Sequence, residues 1–404
     1  MRTGFLRDAI TLGLLSAIGP FAIDMYLPSL PSIGASLHAG PGAVQLTLVV
    51  FFIAVSLGQP VCGPLSDRVG RKLPLYLGLL LFAAASVGCA LAQDVATLTA
   101  FRFLQGLGAC AGMVIPRAVV RDLHTGIEAT RLMSMLMLVF SISPILAPLT
   151  GSLVIQSAGW RGVFWVVFGA AIVGLALAAT LRETRPASAR ADSSSSTLAG
   201  SLSAYRRLLG DRAFLGLTGI GAFGISSFFV YLSSSPFVLI DHYRLSPRLF
   251  SVLFSVNAAA FFATAQANAW LAERFGLREL VRGAAAAFAL VLLVLLALFA
   301  SGVDRLDVLA ILLFVSFGCL GMVLPTTTVL ALEEHGAIAG TASALMGTLQ
   351  FATGAVVMLL ADAFAAGSPL AMVAGITACA VIACALAQAT LRAPRSARAE
   401  AAAD

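Results

Sequence analysis

Charged residues are scarce in this sequence. Of its 404 residues only 11% are Asp, Glu, Lys or Arg, whereas 59% are hydrophobic. A soluble globular protein of this composition would have too few polar side chains to cover its surface. The composition therefore indicates a polytopic membrane protein. The formal charge of +6 does not indicate nucleic-acid binding, because the basic residues lie in short loops between apolar runs.

Signatures of enzymes, nucleotide sites and metal sites are missing as well. The sequence has no GxxxxGK[ST] phosphate loop, its six cysteines show no CxxC spacing, and no nucleophile elbow is present. The one GxGxxG match, at residues 219–224, lies inside an apolar run with no strand before it, which favours helix packing. We therefore predict a protein that is not an enzyme and needs no metal or cofactor.

Apolar runs of about 20 residues, the length that crosses a bilayer, recur twelve times. The predicted helices lie near residues 9–30, 44–64, 74–92, 97–119, 130–153, 163–181, 213–235, 249–271, 280–300, 307–329, 339–361 and 370–390. Residues 182–212 interrupt the series with arginines, a proline and a serine run, the composition of a solvated linker. The prediction is an all-α membrane protein with a six-helix bundle at 1–181, a linker at 182–212, and a second six-helix bundle with a basic tail at 213–404.

Lys and Arg are distributed unevenly between the two sets of predicted loops. Most belong to the termini, the linker and the loops after even-numbered helices, whereas the alternate loops carry only Arg161, Arg244, Arg248 and Arg305. Short basic loops stay on the cytoplasmic side of a membrane. We therefore predict that both termini are cytoplasmic.

A short charged loop separates the second and third predicted helices. It comprises residues 63–72, Gly-Pro-Leu-Ser-Asp-Arg-Val-Gly-Arg-Lys, and its charges cannot lie in hydrocarbon. Gly63 allows close helix approach and Gly70 permits a tight turn. The order acid, base, apolar, Gly, any residue, base recurs at residues 273–278, which indicates an internal repeat. Two repeated halves joined by a linker are typical of secondary transporters. In these proteins, rocking of the halves exposes a binding site near the membrane midplane first to one side of the membrane and then to the other.

This loop resembles the loop signature of the major facilitator superfamily. Within the superfamily, the Asp-Met-Tyr-Leu-Pro-Ser-Leu-Pro run at residues 24–31 is similar to the Bcr/CflA drug-resistance branch. Arg121-Asp122 at the end of the fourth helix, Ser235-Pro236-Phe237 in the seventh and the Ala-Gly-Thr-Ala-Ser run at 339–343 are further matches. The resemblance extends over nearly the whole chain.

The resemblance implies a proton-coupled antiporter that exports small amphipathic drugs, chloramphenicol- or bicyclomycin-like, across a bacterial inner membrane. Its expected partners are the drug, protons and the lipid bilayer, with no nucleic acid, and the expected state is a monomer driven by the proton gradient. A transporter of sugars or amino-acid metabolites with the same fold remains an alternative. A non-transporting membrane receptor or scaffold is an alternative of another class.

Asp24 and Arg102 are the residues expected to couple protons to transport. A charged group within a span costs about 2.5–3.5 kcal/mol on insertion scales, and such a cost usually marks a function. Asp24 precedes Leu30 by six residues and Arg102 follows Thr97 by five, so both lie within roughly 10 Å of the outer boundary at about 1.5 Å per residue. We expect Asp24 to take up a proton from outside and release it inside, and Arg102 to shift its acidity as the drug binds. The alternative is a static ion pair.

The charged loop is interpreted as a cytoplasmic gate. By resemblance, Asp67 and Arg71 form a charge relay with Asp122 that latches the two halves in the outward-open state, and charge-assisted bonds of this type are strong away from bulk water. The alternative is that these charges only fix the topology. The complete set of predicted gate residues is Gly63, Asp67, Arg68, Gly70, Arg71 and Asp122.

The fifth helix is similar to the antiporter motif of drug exporters. Its key positions are Pro144, Ala147, Pro148 and Gly151, and Ala147 departs from the family, which usually has glycine there. Proline kinks a helix and small residues let helices approach.

The substrate cavity is expected to be apolar and aromatic with a few hydrogen-bonding groups. Arg117 approaches the inner boundary, where it either snorkels to the headgroups or lines the inner mouth of this cavity. The other candidates are Tyr26, Gln45, Gln105, Phe223, Phe228, Phe229, Tyr231, Asn257 and Gln350.

Overall fold

The computed structural model describes residues 3–123, 126–185, 198–333, 335, 338–365 and 367–391. Every regular element in this part of the chain is helical. We number the long helices α1 (Thr3–Asp24), α2 (Pro41–Val69), α3 (Lys72–Leu91), α4 (Val95–Leu123), α5 and α6 (the two arms of Gly126–Thr180), α7 (Arg212–Pro236), α8 (Pro247–Phe275), α9 (Leu277–Ala300), α10 (Leu306–Glu333), α11 (Ala339–Ala365) and α12 (Pro369–Thr390).

The helical run Gly126–Thr180 is too long for one span. Its apolar part, Arg131–Thr180, has 50 residues, and the chain breaks at Gly159, where φ is 67° and ψ is −176°. Glycine adopts positive φ without steric cost. The run therefore makes two spans, α5 at 126–158 and α6 at 160–180, and in the described part of the chain this brings the spans to the twelve predicted. The loop expected between residues 153 and 163 is replaced by this single break.

The backbone repeats between the two predicted halves. α2 and α8 have 29 residues each, both begin with a proline, and both end at a glycine with positive φ, 97° at Gly70 and 79° at Gly276. The number of residues from Pro41 to Pro247 is the same as the number from Gly70 to Gly276. The turn predicted at Gly70 and the internal repeat are therefore present in the backbone.

Successive helices run in opposite directions across the membrane. We call the membrane face at which α1 begins and α2 ends the terminal face, and the other the opposite face. Many large apolar side chains are exposed, and Leu57, Leu290 and Ile311 have more than half of their surface exposed. An exposed surface of this kind suits contact with lipid acyl chains.

Small residues allow helices of one half to approach closely. A Cβ at Gly106 would lie 2.5 Å from the carbonyl oxygen of Phe51, and one at Gly108 would lie 2.6 Å from that of Gly78. α4 therefore packs tightly on α2 and α3, as membrane helices with small residues at their interfaces do.

The halves meet along two seams. At one seam α2 contacts α11 and α7, and at the other α5 contacts α8. Ser251 and Ser255 of α8 donate hydrogen bonds across the second seam to the carbonyl oxygens of Pro148 and Ile145, at 2.8 and 2.7 Å.

Two predicted segments differ from the structure. The first span does not continue to residue 30, because α1 ends at Asp24 and is followed by a 3-10 turn, Leu27–Ser29, and a short helix, Leu30–Ser36. Pro28 and Pro31 cannot donate backbone hydrogen bonds, so this segment cannot continue α1 without interruption. The predicted linker contains a helix, Leu198–Gly210, after residues 186–197, which lie outside the described residues together with the basic tail at 392–404. The division into two domains stays a prediction.

Candidate functional site

Asp24 lies where α1 ends, inside the apolar segment Arg7–Ser36. Only 4% of its surface is exposed, and its neighbours Ile23 and Met25 are buried apolar residues. Among the residues that the structure describes, no hydrogen bond or ion pair is made by its carboxyl group. An uncompensated carboxylate in such surroundings is costly, and protonation removes the cost.

Arg102 is fully buried in the N-terminal half. Its guanidinium carbon lies 4.4 Å from the centre of the Tyr26 ring and 4.5 Å from that of Phe51, so two aromatic faces enclose the cation. Its Nη1 donates to Oε1 of Gln105 at 2.7 Å and to the carbonyl oxygen of Ala22 at 3.4 Å. The remaining nitrogens, Nε and Nη2, are buried and have no hydrogen-bond partner in the described part of the chain.

A chain of polar side chains extends from Arg102 through the N-terminal half. Gln105 donates through Nε2 to the hydroxyl of Ser86 at 2.8 Å, and the Tyr26 and Thr47 hydroxyls lie 2.7 Å apart. Both Tyr26 and Gln105 are fully buried. These two predicted cavity residues therefore hold Arg102 in place inside one half.

The predicted pairing of Asp24 with Arg102 is wrong for this conformation. Within the described residues neither a hydrogen bond nor an ion pair joins them, although Arg102 reaches the carbonyl oxygen of Ala22, two residues before Asp24. The rings of Tyr26 and Phe51 fix the guanidinium beside the helix, and α1 ends at Asp24. Asp24 and Arg102 thus lie at a similar depth without compensating each other.

The charged loop at the terminal face is held by Arg71. Its Nη1 lies 2.7 Å from Oδ1 of Asp67, and its Nε and Nη2 donate to the two carboxylate oxygens of Asp122 at 2.7 and 3.2 Å. A further bond from Nη1 reaches the hydroxyl of Ser66 at 2.7 Å. Burial lowers the pKa of the Arg71 guanidinium, but the bond to Asp122 and the charges of Asp67 and Asp122 outweigh it and raise the pKa. The three residues of the expected charge relay are therefore in contact.

The segment after α6 completes this network, and no sequence signal had pointed to it. The Glu183 carboxylate accepts hydrogen bonds from the backbone N–H groups of Arg71 and Lys72 at 2.9 and 3.1 Å. Thr184 donates to Asp122 at 3.0 Å, and Arg185 donates through Nε to the Asp67 carbonyl oxygen at 3.0 Å. A carboxylate over the first N–H groups of α3 also suits the positive end of the helix dipole.

The contacts described for this relay lie within one half, and the expectation that it latches the two halves together stays a prediction. All of its described contacts join α2, α4 and the end of α6, which belong to the N-terminal half. In the repeat, the position of Arg71 is occupied by Leu277, which has no group to donate. At this face the α4 residue close to the other half is Arg121, whose Nη1 lies 3.2 Å from a Cβ built on Gly340 of α11.

Two further predicted gate residues differ in their surroundings. Gly63 has nothing within 4 Å of an added Cβ, so the close helix approach expected there is absent at this described position. Arg68 is exposed. Neither residue takes part in the described contacts of Arg71, so the gate role stays a prediction for Asp67, Gly70, Arg71 and Asp122.

The antiporter-like motif of α5 packs against the chain break after Asp24. A Cβ on Gly151 would overlap the carbonyl oxygen of Met25, and Ala147 is fully buried. The carbonyl oxygen of Pro148 accepts the bond from Ser251 of the other half. The motif therefore contacts both the segment that carries Asp24 and the seam between the halves.

Replacing Gly151 with alanine is expected to destabilise the folded protein. The added methyl group would overlap the backbone of Met25, and overpacking of this kind costs about 1–3 kcal/mol. The midpoint of thermal unfolding of the purified protein in detergent should fall. Gly169→Ala in α6 is the matched control, since nothing lies within 4 Å of a Cβ there. Equal midpoints for the two variants would contradict the prediction.

The remaining predicted cavity residues do not form one cavity. Tyr231 and Asn257 lie in the C-terminal half, where Nδ2 of Asn257 donates to the Tyr231 hydroxyl at 2.9 Å. They line a cavity of about 220 Å³ whose wall includes the exposed side chains of Ile311 and Phe314. Phe228 packs on Tyr231 with ring centres 6.4 Å apart. This group is therefore a cluster within one half.

Gln45 and Gln350 lie at the seam between α2, α7 and α11. Nε2 of Gln45 donates to the carbonyl oxygen of Ser233 at 3.2 Å, which joins the halves near the opposite face. Nε2 of Gln350 lies 3.0 Å from a Cβ built on Gly221. Phe223 and Arg117 are half-buried, on α7 and α4.

Sequence reasoning named Phe229 at this seam but missed Phe52 and Phe351. Phe52 of α2 stacks on Phe229 of α7 with ring centres 4.4 Å apart, and Phe351 of α11 packs on both. The signal was present, because Gln45, Phe52, Ser56 and Gln59 recur at spacings of seven, four and three and so lie on one face of α2. Asp362 of α11 was missed as well, and its Oδ1 is buried without a hydrogen-bond partner among the described residues.

Comparisons with known sequences agree with this architecture. The model of the Major Facilitator Superfamily matches residues 12–358. The MFS-type transporter YdgK of Bacillus subtilis (strain 168) is 38% identical over 360 residues, 87% of each chain. The bicyclomycin resistance protein homolog of Haemophilus influenzae is 29% identical over 379 residues, 92% of this chain and 93% of that protein. The multidrug resistance protein MdtL of Escherichia coli O81 (strain ED1a) is 34% identical over 224 residues, 55% of each chain.

Solved structures share the fold. A D-xylose–proton symporter superposes with a TM-score of 0.72 at 17% identity, covering 95% of this chain and 97% of that chain. A mutant of the nucleoside transporter NupG gives a TM-score of 0.71 at 14% identity, covering 95% and 98%. At these identities the likeness concerns the fold alone, and it confirms the prediction of an all-α membrane protein with the major facilitator architecture.

Proposed function

Because the chain belongs to the Major Facilitator Superfamily, we propose that it is a proton-coupled antiporter that exports small amphipathic drugs by alternating access. The compounds expected are of the chloramphenicol or bicyclomycin type. Two relatives that carry the names bicyclomycin resistance protein homolog and multidrug resistance protein support export of drugs rather than of metabolites. In this proposal the protein works as a monomer in a bacterial inner membrane, with both termini cytoplasmic, and uses no cofactor.

The observation that carries the proposal is the buried Asp24 carboxyl group at the end of α1. Its surface is 4% exposed, it has no partner among the described residues, and the next residue, Met25, packs on Gly151 of the antiporter-like motif. A proton carrier needs a group that is stable in its neutral form and that loses the proton when its surroundings change. A carboxyl group beside a helix break, next to a motif that reaches the seam between the halves, meets both requirements.

Arg102 supplies the change of surroundings in this proposal. Two of its guanidinium nitrogens lack partners among the described residues, so a modest movement of α1 that brings a carboxylate to them is favoured electrostatically. Asp24 then releases its proton when it meets Arg102 and binds one when it moves away. The conformation described here corresponds to the separated state.

Alternating access requires that the halves separate at one face at a time. Polar contacts across the seams are few and reversible, and those described are Gln45 to Ser233, Ser56 to Thr348, Ser251 to Pro148 and Ser255 to Ile145. All four are hydrogen bonds from an uncharged side chain to a backbone carbonyl oxygen. Each contributes about 1 kcal/mol, so these four contacts can break and form again as the halves rock.

The function is tested by drug-susceptibility profiling of a pump-deficient bacterial host that expresses the chain. We expect resistance to rise several-fold for a subset of amphipathic drugs and to return to the host level when a protonophore collapses the proton gradient. A host that expresses the same amount of the Asp24→Asn variant is the control. Unchanged susceptibility over a broad panel would contradict drug export and favour a metabolite transporter, and resistance that survives the protonophore would contradict proton coupling.

A further inference from the structure

Three phenylalanine rings from both halves meet at the seam between α2, α7 and α11. The rings of Phe52 and Phe229 are stacked, with centres 4.4 Å apart and planes inclined by 22°. Phe351 packs against each of them with ring centres 5.5 Å apart. Phe52 is 1% exposed and Phe229 is 7% exposed. We call these three residues the seam stack, and it is the place where an aromatic face of one half lies on an aromatic face of the other.

The backbone around the stack keeps the Phe229 ring in its position. A Cβ built on Gly354, one turn after Phe351 on α11, would overlap the Phe229 ring. The ring therefore occupies a slot with Phe52 on one face and the bare backbone of Gly354 at its edge. A ring confined in this way presents a fixed flat surface toward the other half.

The seam stack lies near the middle of the membrane. Phe52 follows Pro41 by 11 residues, about 16 Å along α2 from the opposite face, and Phe351 follows Ala339 by 12 residues, about 18 Å along α11 from the terminal face. Transporters with two repeated halves bind their substrates at this depth, between the halves.

Hydrogen-bonding groups without partners flank the stack on both sides. Oγ1 of Thr348 lies one helical turn from Phe351, and Oε1 of Gln45 lies two turns from Phe52 on the same face of α2. Both atoms are buried, and neither has a hydrogen-bond partner among the described residues. Buried polar groups normally make hydrogen bonds. Two buried oxygen atoms without a partner beside a seam therefore indicate that groups of a ligand bond to them in another conformation.

We propose that the seam stack is a binding site for a planar aromatic ring of the transported compound. When the halves separate at this seam, the faces of Phe52 and Phe229 part, and the ring of the substrate inserts between them. The substrate ring replaces the protein stack, so two aromatic contacts compensate for the one that is lost. Thr348 and Gln45 then bind polar groups of the substrate on the two sides of that ring. The inference rests on the proposed function and adds to it the chemical class of the substrate.

The site also explains how the empty protein closes. Without a substrate the two phenylalanine faces cover each other, and no aromatic surface is left exposed to water. A compound that carries a flat ring keeps the faces apart until it is released. Compounds without such a ring gain nothing from the stack and depend on other contacts.

The proposal is tested by direct binding to the purified full-length chain in detergent. The probes are ethidium, norfloxacin and chloramphenicol, which contain aromatic rings, and bicyclomycin, which has none. The variants Phe52→Leu and Phe229→Leu remove one ring each and keep an apolar side chain. We expect each to weaken binding of the aromatic probes by about tenfold and to leave bicyclomycin binding within twofold of wild type.

Two further variants distinguish the effect of losing the aromatic face at the seam from the effect of losing side-chain volume. Phe52→Tyr keeps the aromatic face and is expected to bind the aromatic probes as wild type does, even where Phe52→Leu is poorly folded. Phe288→Leu in α9 is the matched control, because it removes an equally buried ring, 1% exposed, away from the seam. Its binding of all four probes should equal that of wild type.

Each outcome decides the question. Equal affinity of Phe52→Leu and wild type for every aromatic probe would overturn the proposal, and so would a wild-type protein that binds bicyclomycin but none of the aromatic probes. In the second case the proposed export of drugs would be retained and the proposed binding site for an aromatic ring would be rejected. A host whose susceptibility to all four compounds is unchanged by the chain would instead count against the proposed function.

Discussion

Replacing Asp24 with asparagine is expected to abolish proton-coupled export while leaving the amount of folded protein in the membrane unchanged. Asparagine has nearly the same shape as aspartate but cannot carry the proton. The Asp24 carboxyl group makes no hydrogen bond or ion pair among the described residues, so the exchange removes no contact that stabilises the fold. In everted vesicles, addition of a substrate should move protons through the wild-type protein and not through the variant.

Asp8→Asn provides the control for this experiment. Asp8 lies on the same helix near the terminal face and its only described contact is with the exposed Arg7, at 3.4 Å. An exposed pair of this kind contributes little, so the variant should retain wild-type transport. Full substrate-induced proton movement by Asp24→Asn would remove Asp24 from the coupling mechanism.

The second large effect is expected from Arg71→Gln. Arg71 is 5% exposed, and its loss leaves the Asp122 carboxylate, whose side chain is 17% exposed, without its guanidinium partner. Removing one member of a buried pair costs about 3–5 kcal/mol, and partial exposure of Asp122 places the expected value near the lower end, at about 3 kcal/mol. We expect a clear fall in the midpoint of thermal unfolding together with loss of transport.

Two neighbouring variants calibrate this result. Arg68→Gln changes an exposed arginine of the same loop and should leave both stability and transport near wild type. Asp67→Asn should have an intermediate effect, because the Asp67 side chain is 44% exposed and its pairing with Arg71 is screened by solvent. A stability of Arg71→Gln equal to that of Arg68→Gln would show that the network does not hold the loop.

The sequence predicted the framework of the fold because the bilayer imposes a simple rule on it. Apolar runs of about 20 residues and the repeated glycine turn at Gly70 and Gly276 depend on local composition, so they are visible without a structure. The break after Asp24 was not predicted, whereas a loop was predicted between residues 153 and 163, where the structure has a one-residue break at Gly159. Hydropathy measures burial in lipid and does not report the direction of the chain.

The candidate site was predicted less completely, because contacts between spans depend on how each helix is rotated. Arg71, Asp67 and Asp122 could be associated by resemblance, whereas the partners of Arg102 could not be read from depth alone. Depth placed Asp24 beside Arg102, but the rings of Tyr26 and Phe51 decided where the guanidinium lies. The face of α2 that carries Phe52 followed a helical period in the sequence, and its significance became clear only with its partners on α7 and α11.

Leu277 occupies in the repeat the position of Arg71, and this difference affects the relative stiffness of the two equivalent turns. In one half the Arg71 guanidinium fastens the connecting turn to α4, and the Arg71 backbone N–H bonds to the chain leaving α6. The equivalent turn of the other half has the aliphatic Leu277 at that position. The duplication has thus preserved a backbone shape while its chemistry diverged. We expect labels placed at the two turns to report unequal stiffness, with the turn at Gly276 the more compliant of the two.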